Sequence, residues 1–135
     1  NADESKARKA AEAAGGEIAQ YNNAGYHATY SDSEYYSFAN TLVQSMDGCG
    51  TDEDMILEVF RKMRNPVDIR KLIIAFGVQY YQPCAASQPL SYLRWQFDSQ
   101  AYGGDLATWL SYDLSTGYIQ EINQILSERG AEFQF

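Results

Sequence analysis

Apolar residues recur every three or four positions along most of the chain after residue 33, and this spacing places them on one face of an α-helix. Asp32 or Ser33 can cap the first such segment, since both side chains can accept the free N–H groups of a first turn. The apolar face of this segment consists of Tyr35, Phe38, Leu42 and Met46. The pattern therefore predicts a helix from about residue 33 to Met46.

A second helix is predicted after a loop that contains Gly48 and Gly50. Thr51 stands where a helix cap belongs, and Asp54 follows three residues later, which is a variant of the capping box. The apolar face behind this cap consists of Met55, Ile56, Val59, Phe60 and Met63. Thr51 is therefore the predicted N-terminal boundary of this helix.

Asn65 and Pro66 end the second helix and begin a third, because proline suits the first position of a helix. The apolar face of the third helix consists of Ile69, Leu72, Ile73 and Phe76. Residues 77–104 then interrupt the periodicity with two prolines, paired glycines and many aromatic side chains. A short helix over residues 91–97 is one option there, but periodicity does not decide it.

The periodicity returns after residue 104 in two further segments. The first has an apolar face of Leu106, Trp109, Leu110 and Leu114, and the second has one of Ile119, Ile122 and Leu126. The second segment ends at Arg129 and Gly130, as a glycine C-cap would. Five helices with short connections predict an all-α fold, with an irregular aromatic-rich insertion of about residues 77–104 between the third and fourth helices.

Three regions follow from this pattern: an alanine-rich charged extension or linker (1–30), a helical module (31–130) and an aromatic tail (131–135). Residues 1–16 alternate in charge and have no apolar stripe beyond alanine. We therefore expect a solvated helix or flexible tether that ends at Gly15 and Gly16. The tail is too apolar for a free end, and it either folds back onto the domain or docks into a neighbouring subunit.

The chain of 135 residues has the size of one domain, and its net charge is −8. This charge argues against direct binding to nucleic acid or to anionic lipid, so contact with a negative surface needs a cation in between. No apolar run approaches the 18 residues of a membrane span. Because the sequence starts at Asn1, an upstream signal or anchor can have been removed, which favours a cell-envelope, extracytoplasmic or virion-associated location.

Enzymatic chemistry has little support in the sequence. His27 is the only histidine, and no serine or cysteine has a visible partner of the kind that nucleophilic catalysis requires. Cys49 and Cys84 are too few for a disulfide scaffold. They can pair in an oxidising compartment, although we expect two free thiols. We therefore expect a protein that is not an enzyme.

The loop between the first two predicted helices has the composition of a calcium-binding loop. Glycine lets peptide planes turn inward, so the carbonyl groups of Met46, Gly48 and Gly50 can converge on one point. Calcium prefers hard oxygen ligands, and these neutral carbonyls need a carboxylate to offset the charge of the ion. The sequence offers Asp113 for this role. The alternative is that the glycines serve only a tight turn and that Asp113 only caps or pairs near the last helix.

Two segments carry a family resemblance. Residues 46–54, MDGCGTDED, resemble the M-K-G-x-G-T-D-E loop of an annexin repeat, and residues 103–126, GGDLATWLSYDLSTGYIQEINQIL, resemble the second half of that repeat. The resemblance implies a five-helix annexin-like bundle. It also implies that the carbonyls of Met46, Gly48 and Gly50, with the carboxylate of Asp113, bind a calcium ion that bridges to phospholipid phosphates.

The chain departs from the annexin pattern in several places. It has one repeat where animal annexins usually have four, and about twenty additional residues separate the loop from the acid. Asp113 stands where glutamate is usual, Asp47 replaces a basic residue, and Cys49 occupies a position that often touches lipid. A single module with an insertion is more similar to annexin-like modules of bacteria and their phages than to the animal proteins.

Two functions remain open at this point. The first is a calcium-binding module that attaches to an anionic phospholipid or envelope surface through the bridging ion. The second is a structural or assembly protein, such as a phage virion or bacterial envelope component, with calcium at most a structural clip. Its protein contacts would come from the insertion and the tail, through Tyr80, Tyr81, Tyr92, Trp95, Phe133 and Phe135.

Overall fold

The computed structural model describes residues 2–46, 50–80 and 103–135. The described helices are α1 (Ala2–Asn23), α2 (Asp32–Met46), α3 (Glu53–Arg61), α4 (Pro66–Phe76), α5 (Leu106–Asp113) and α6 (Thr116–Glu128). Two short strands, β1 (Gln79–Tyr80) and β2 (Gly103–Gly104), complete the described elements. The mostly helical content confirms the predicted all-α class. No helix within the described ranges is long and apolar enough to cross a membrane.

Helix α1 differs from the prediction in its length and in its packing. It continues through Gly15 and Gly16 as far as Asn23, so the predicted end at the two glycines is wrong. Ala7 and Ala14 are each only 4% exposed, and α1 packs against α4. The expected solvated helix is therefore a packed one, because alanine lets two helices approach closely and tertiary packing can override the low helix propensity of glycine. The division of the chain near residue 30, between the extension and the helical module, stays a prediction.

Helix α2 is capped one or two residues earlier than the sequence pattern predicts. Ser31 Oγ accepts the N–H of Glu34 at 3.3 Å and donates to the Glu34 carboxylate at 3.2 Å. The Ser31 carbonyl also accepts the N–H of Tyr35 at 3.2 Å. The cap is therefore Ser31, and not Asp32 or Ser33 as predicted, because the Ser31 hydroxyl and carbonyl accept N–H groups of the first helical turn.

Helix α3, in contrast, begins one residue later than predicted. Asp52 is its N-cap, and the Asp52 side chain accepts the N–H of Met55 at 3.1 Å. The predicted cap, Thr51, precedes this position, and the N–H of Asp52 donates to the Ser45 carbonyl at 2.8 Å. Helix α4 begins as predicted: Asn65 Oδ1 accepts the N–H of Val67 at 2.9 Å, and Pro66 is the first helical residue.

The predicted apolar faces of the helices form most of the core. The largest fully buried side chains in the described residues are Trp109, Tyr35, Phe60, Phe76, Leu42, Met46, Ile56, Met63, Ile69, Leu72, Leu106 and Leu110. Met55 is an exception, because it lies in the first turn of α3 and remains 45% exposed. The core therefore joins α2, α3, α4, α5 and α6, and α1 contributes Ala14 to it.

A buried carboxylate joins α4 to the segment before α2. Asp68 is fully buried and accepts four hydrogen bonds: from Thr29 N at 2.9 Å, from Thr29 Oγ1 at 2.6 Å, from Tyr35 Oη at 2.5 Å and from Arg64 N at 2.9 Å. A buried carboxylate needs such donors to offset its lost hydration. Burial, and next the bonded Asp68 carboxylate, raise the pKa of the Tyr35 phenol above its usual 10.0.

A buried guanidinium joins three parts of the chain. Arg70, on α4, is 4% exposed and pairs with the carboxylate of Glu17 on α1. It also donates to the carbonyls of Pro66 at 2.8 Å, Ala131 at 3.0 Å and Glu132 at 2.8 Å. Arg70 therefore holds the C-terminal segment against α1 and α4.

The aromatic tail folds back onto the domain, which is one of the two predicted alternatives. Phe135 donates its N–H to Asn123 Oδ1 at 2.8 Å, and its carbonyl accepts from Asn123 Nδ2 at 3.1 Å. The rings of Phe133 and Phe135 are half-buried and pack against the core, with Phe135 edge-on to Phe60 at 5.6 Å.

The two ends of the insertion are held together by a short antiparallel pair, which the sequence reasoning did not predict. Gln79 pairs with Gly104, and Tyr80 pairs with Gly103. A Cβ at Gly103 would lie 2.5 Å from the Tyr80 ring, so this close approach requires glycine. Trp109 Nε1 donates to the Gln79 carbonyl at 3.0 Å and fixes the pair to α5. The optional helix over 91–97 lies outside the described residues.

Candidate cation-binding site

Three of the four predicted calcium ligands lie in the described part of the chain. Met46 is the last residue of α2 and is 1% exposed, whereas Gly50 is exposed in the α2–α3 loop. Asp113 is the last residue of α5 and is half-buried. Gly48 lies outside the described residues, as do Asp47 and Cys49.

The loop between α2 and α3 is closed at its base by backbone contacts. The Ser45 carbonyl accepts the N–H of Asp52 at 2.8 Å, and Ser45 Oγ donates to the Thr41 carbonyl at 2.7 Å. A Cβ at Gly50 would have no described residue within 4 Å, apart from the chain neighbours of Gly50. Among the described residues, the space beside Gly50 is therefore open, and the hydrogen bond between Ser45 and Asp52 joins the end of α2 to the start of α3.

The loop borders an open depression of about 490 Å³. Its lining consists of Gln44, Ser45, Gly50, Thr51, Asp52, Glu53, Asp54 and Tyr118. Tyr118 belongs to the first turn of α6, so this turn lies beside the α2–α3 loop. Chain segments that are more than sixty residues apart in the sequence therefore share one surface.

Asp113 lies in the junction that leads to this turn of α6. Helix α5 ends at Asp113, and α6 begins at Thr116. The N-cap of α6 is Ser115, whose Oγ accepts the N–H of Tyr118 at 3.4 Å. Capping of the last helix was one alternative role for Asp113, and Ser115 fills that role instead.

The chemistry of the donor set fits a hard divalent cation. The predicted ligands are backbone carbonyl oxygens and one carboxylate, which are oxygen donors of the type that calcium prefers. Of the described predicted ligands, Gly50 lines the depression, whereas Met46 and Asp113 are not part of its lining. Asp52, Glu53 and Asp54 add negative charge to the depression, although Asp52 already caps α3. The described residues contain no group of three or more His, Cys, Asp or Glu side chains arranged for a metal ion. A calcium ion here would therefore depend on backbone carbonyls.

The exposure of three large side chains on α3, α5 and α6 was not predicted. Tyr118, which lines the depression, is 37% exposed, and Met55, the residue after Asp54, is 45% exposed. Tyr112, the residue before Asp113, is 74% exposed. The apolar periodicity predicts a buried Met55, and it predicts nothing about the two tyrosines. The exposure of Met55 and Tyr118 could have been predicted from their position, since both lie in the first turn of a helix that follows a loop.

The residues predicted to contact protein partners have different surroundings. Tyr80 is 43% exposed, and its hydroxyl donates to the carboxylate of Glu4, which raises the pKa of Tyr80. Phe133 and Phe135 pack against the domain itself. Tyr81, Tyr92 and Trp95 lie outside the described residues, as does Cys84.

Comparisons with protein-family models, with curated proteins and with solved structures gave no match for this chain. The resemblance to an annexin repeat therefore depends on the loop motif at residues 46–54 and on the segment at 103–126.

Proposed function

We propose that the chain is a non-enzymatic, annexin-like module that binds calcium in the α2–α3 loop. The ligands are the carbonyls of Met46, Gly48 and Gly50 and the carboxylate of Asp113. The observation that carries this proposal is the depression that Gly50 and the acids after it share with Tyr118, in the turn that follows Asp113. This arrangement supports a site composed of a glycine loop and a distant acid.

The bound calcium attaches the module to an anionic phospholipid surface. A net charge of −8 repels such a surface, and a bridging ion supplies the missing positive charge. Tyr118 and Met55 are exposed on the helices that follow the loop and Asp113. The amphipathic ring of tyrosine favours the boundary between headgroups and hydrocarbon, and the apolar methionine side chain can enter the hydrocarbon. One bridging ion gives a weak contact, so these side chains are the second signal that a stable attachment needs.

Sedimentation with vesicles of phosphatidylserine and phosphatidylcholine tests the attachment. We expect the wild-type chain to sediment with the vesicles in calcium and to stay in solution in a chelator. Gly50→Glu places a carboxylate in the open space of the loop and should abolish the sedimentation. Ser127→Glu adds the same charge near the C-terminal end of α6 and should leave it unchanged. Equal sedimentation with and without calcium would contradict the proposal.

A second proposal is an assembly role for the insertion. The pairing of Tyr80 with Gly103 holds the two ends of the insertion next to each other. This arrangement is suited to the presentation of a segment to a protein partner. Replacement of residues 81–102 by a two-residue Asn-Gly turn should preserve the helical fold and abolish self-association in analytical ultracentrifugation, whether or not calcium is present. Unchanged self-association would exclude the insertion as the contact.

A further inference from the structure

A second concave site lies between α1, α4, the start of α5 and the C-terminal segment. It is a cavity of about 150 Å³ with a mostly apolar wall. Residues that form this wall include Ala10, Ala13, Ile73, Leu106, Phe133 and Phe135. None of them lines the depression beside the α2–α3 loop, so this cavity is separate from the proposed calcium site.

The cavity exists because the α1 residues that line it include small side chains. Ala10 and Ala13 lie one turn apart on α1 and end at Cβ, whereas Ile73 and Leu106 come from the helices that face them. Ala13 is exposed, so the cavity opens to solvent on the side of α1. Its apolar wall lacks the dispersion contacts that a close-packed neighbour would supply. The space is therefore suited to a guest molecule that restores those contacts.

The charged groups in the lining are already compensated. Arg70 pairs with Glu17 and donates to three backbone carbonyls. Asp105 Oδ1 accepts the N–H of Thr108 at 2.9 Å and its hydroxyl at 2.6 Å. An anionic guest would lose its hydration without gaining an unpaired positive charge among these groups. The mostly apolar wall favours an uncharged molecule.

We propose that this cavity binds an uncharged aromatic molecule with a single ring. An apolar cavity of about 150 Å³ is large enough for benzene. The rings of Phe133 and Phe135 meet edge to face at 4.9 Å in its wall, and a third ring can add to such an arrangement in the same geometry. The guest contacts α1 and the tail together, so its binding stabilises the packing of both against α4.

Thermal unfolding of the full chain with benzene or benzoate tests this inference. At ten times the dissociation constant, benzene should raise the Tm by about 5 °C, whereas benzoate should not change it. Ala10→Leu fills the cavity and should remove the response to benzene. Ala19→Leu, at an exposed position of the same helix, should retain it. No response of the wild-type chain, or equal responses to benzene and benzoate, would overturn the inference.

Nuclear Overhauser effects give a second readout that does not depend on a filled variant. Benzene protons should show effects to the methyl groups of Ile73 and Leu106 and to the ring of Phe133. Ala13→Leu provides another filled variant if Ala10→Leu fails to fold. Effects confined to residues outside the cavity would contradict the assignment.

Discussion

Tyr35 donates a hydrogen bond of 2.5 Å to Asp68, and the two side chains are both buried although 33 positions separate them in the sequence. The phenol thereby joins α2 to α4, and the carboxylate gains one of its four donors. Removal of this hydroxyl leaves a buried acceptor with one partner fewer, so the bond should have a measurable effect on stability.

Tyr35→Phe should lower the free energy of unfolding by about 1–2 kcal/mol at pH 7. The raised pKa of Tyr35 in the folded chain means that its contribution is complete below pH 10.0, the ordinary pKa, and is lost as the pH rises above it. The difference between wild type and variant should therefore shrink in alkali. Urea denaturation at several pH values measures this, with Tyr36→Phe at the exposed neighbouring position as the control.

Arg70→Lys should destabilise the chain by about 3 kcal/mol, because an ammonium group cannot reproduce the fork that reaches Glu17 and the carbonyls of Ala131 and Glu132. Arg61→Lys is the matched control, since Arg61 is 43% exposed and, among the described residues, pairs with Glu58 of the same helix. Its effect should stay within about 0.5 kcal/mol. Equal effects of the two substitutions in urea denaturation would contradict the role assigned to Arg70.

Gly15→Ala should stabilise the chain by about 0.5–1 kcal/mol, because Gly15 lies within α1 and its Cβ position is open. Gly25→Ala is the opposite case, since Gly25 has a φ of +98° and a side chain there is strained. The sign of the change in Tm distinguishes the two. A destabilising Gly15→Ala would show that α1 does not continue through the glycines.

Asp52→Ala should cost about 1 kcal/mol through loss of the α3 cap. Thr51→Ala should have almost no effect, because Thr51 precedes the cap. Chemical denaturation of both variants measures the difference. A larger loss in Thr51→Ala would restore the boundary that the sequence pattern predicted.

Apolar periodicity predicted α2, α3, α4, α5 and α6, because the large side chains of these helices are buried at the spacing that the sequence shows. The packing of α1 was not predictable in that way. Its buried residues are alanines, and its partner α4 lies more than forty residues further on. Asp68 and Arg70 were not predictable either, because a charged residue in an otherwise apolar helix gives no local sign of distant partners such as Thr29 and Glu132.

The candidate site was predictable only in part, for a similar reason. The glycines, the acids and Asp113 belong to local motifs, so they can be read from the sequence. The position of Tyr118 beside Gly50 depends on how α6 packs against α3, and no local pattern contains that information.

Titration calorimetry with calcium tests the central claim most directly. The wild-type chain should bind one calcium ion with a dissociation constant of about 1 mM or tighter, and Asp113→Ala should not bind it. Glu121→Ala removes an exposed acid from α6 and should bind as the wild type does. Absence of calcium binding by the wild-type chain, or equal binding by Asp113→Ala, would contradict the proposed site.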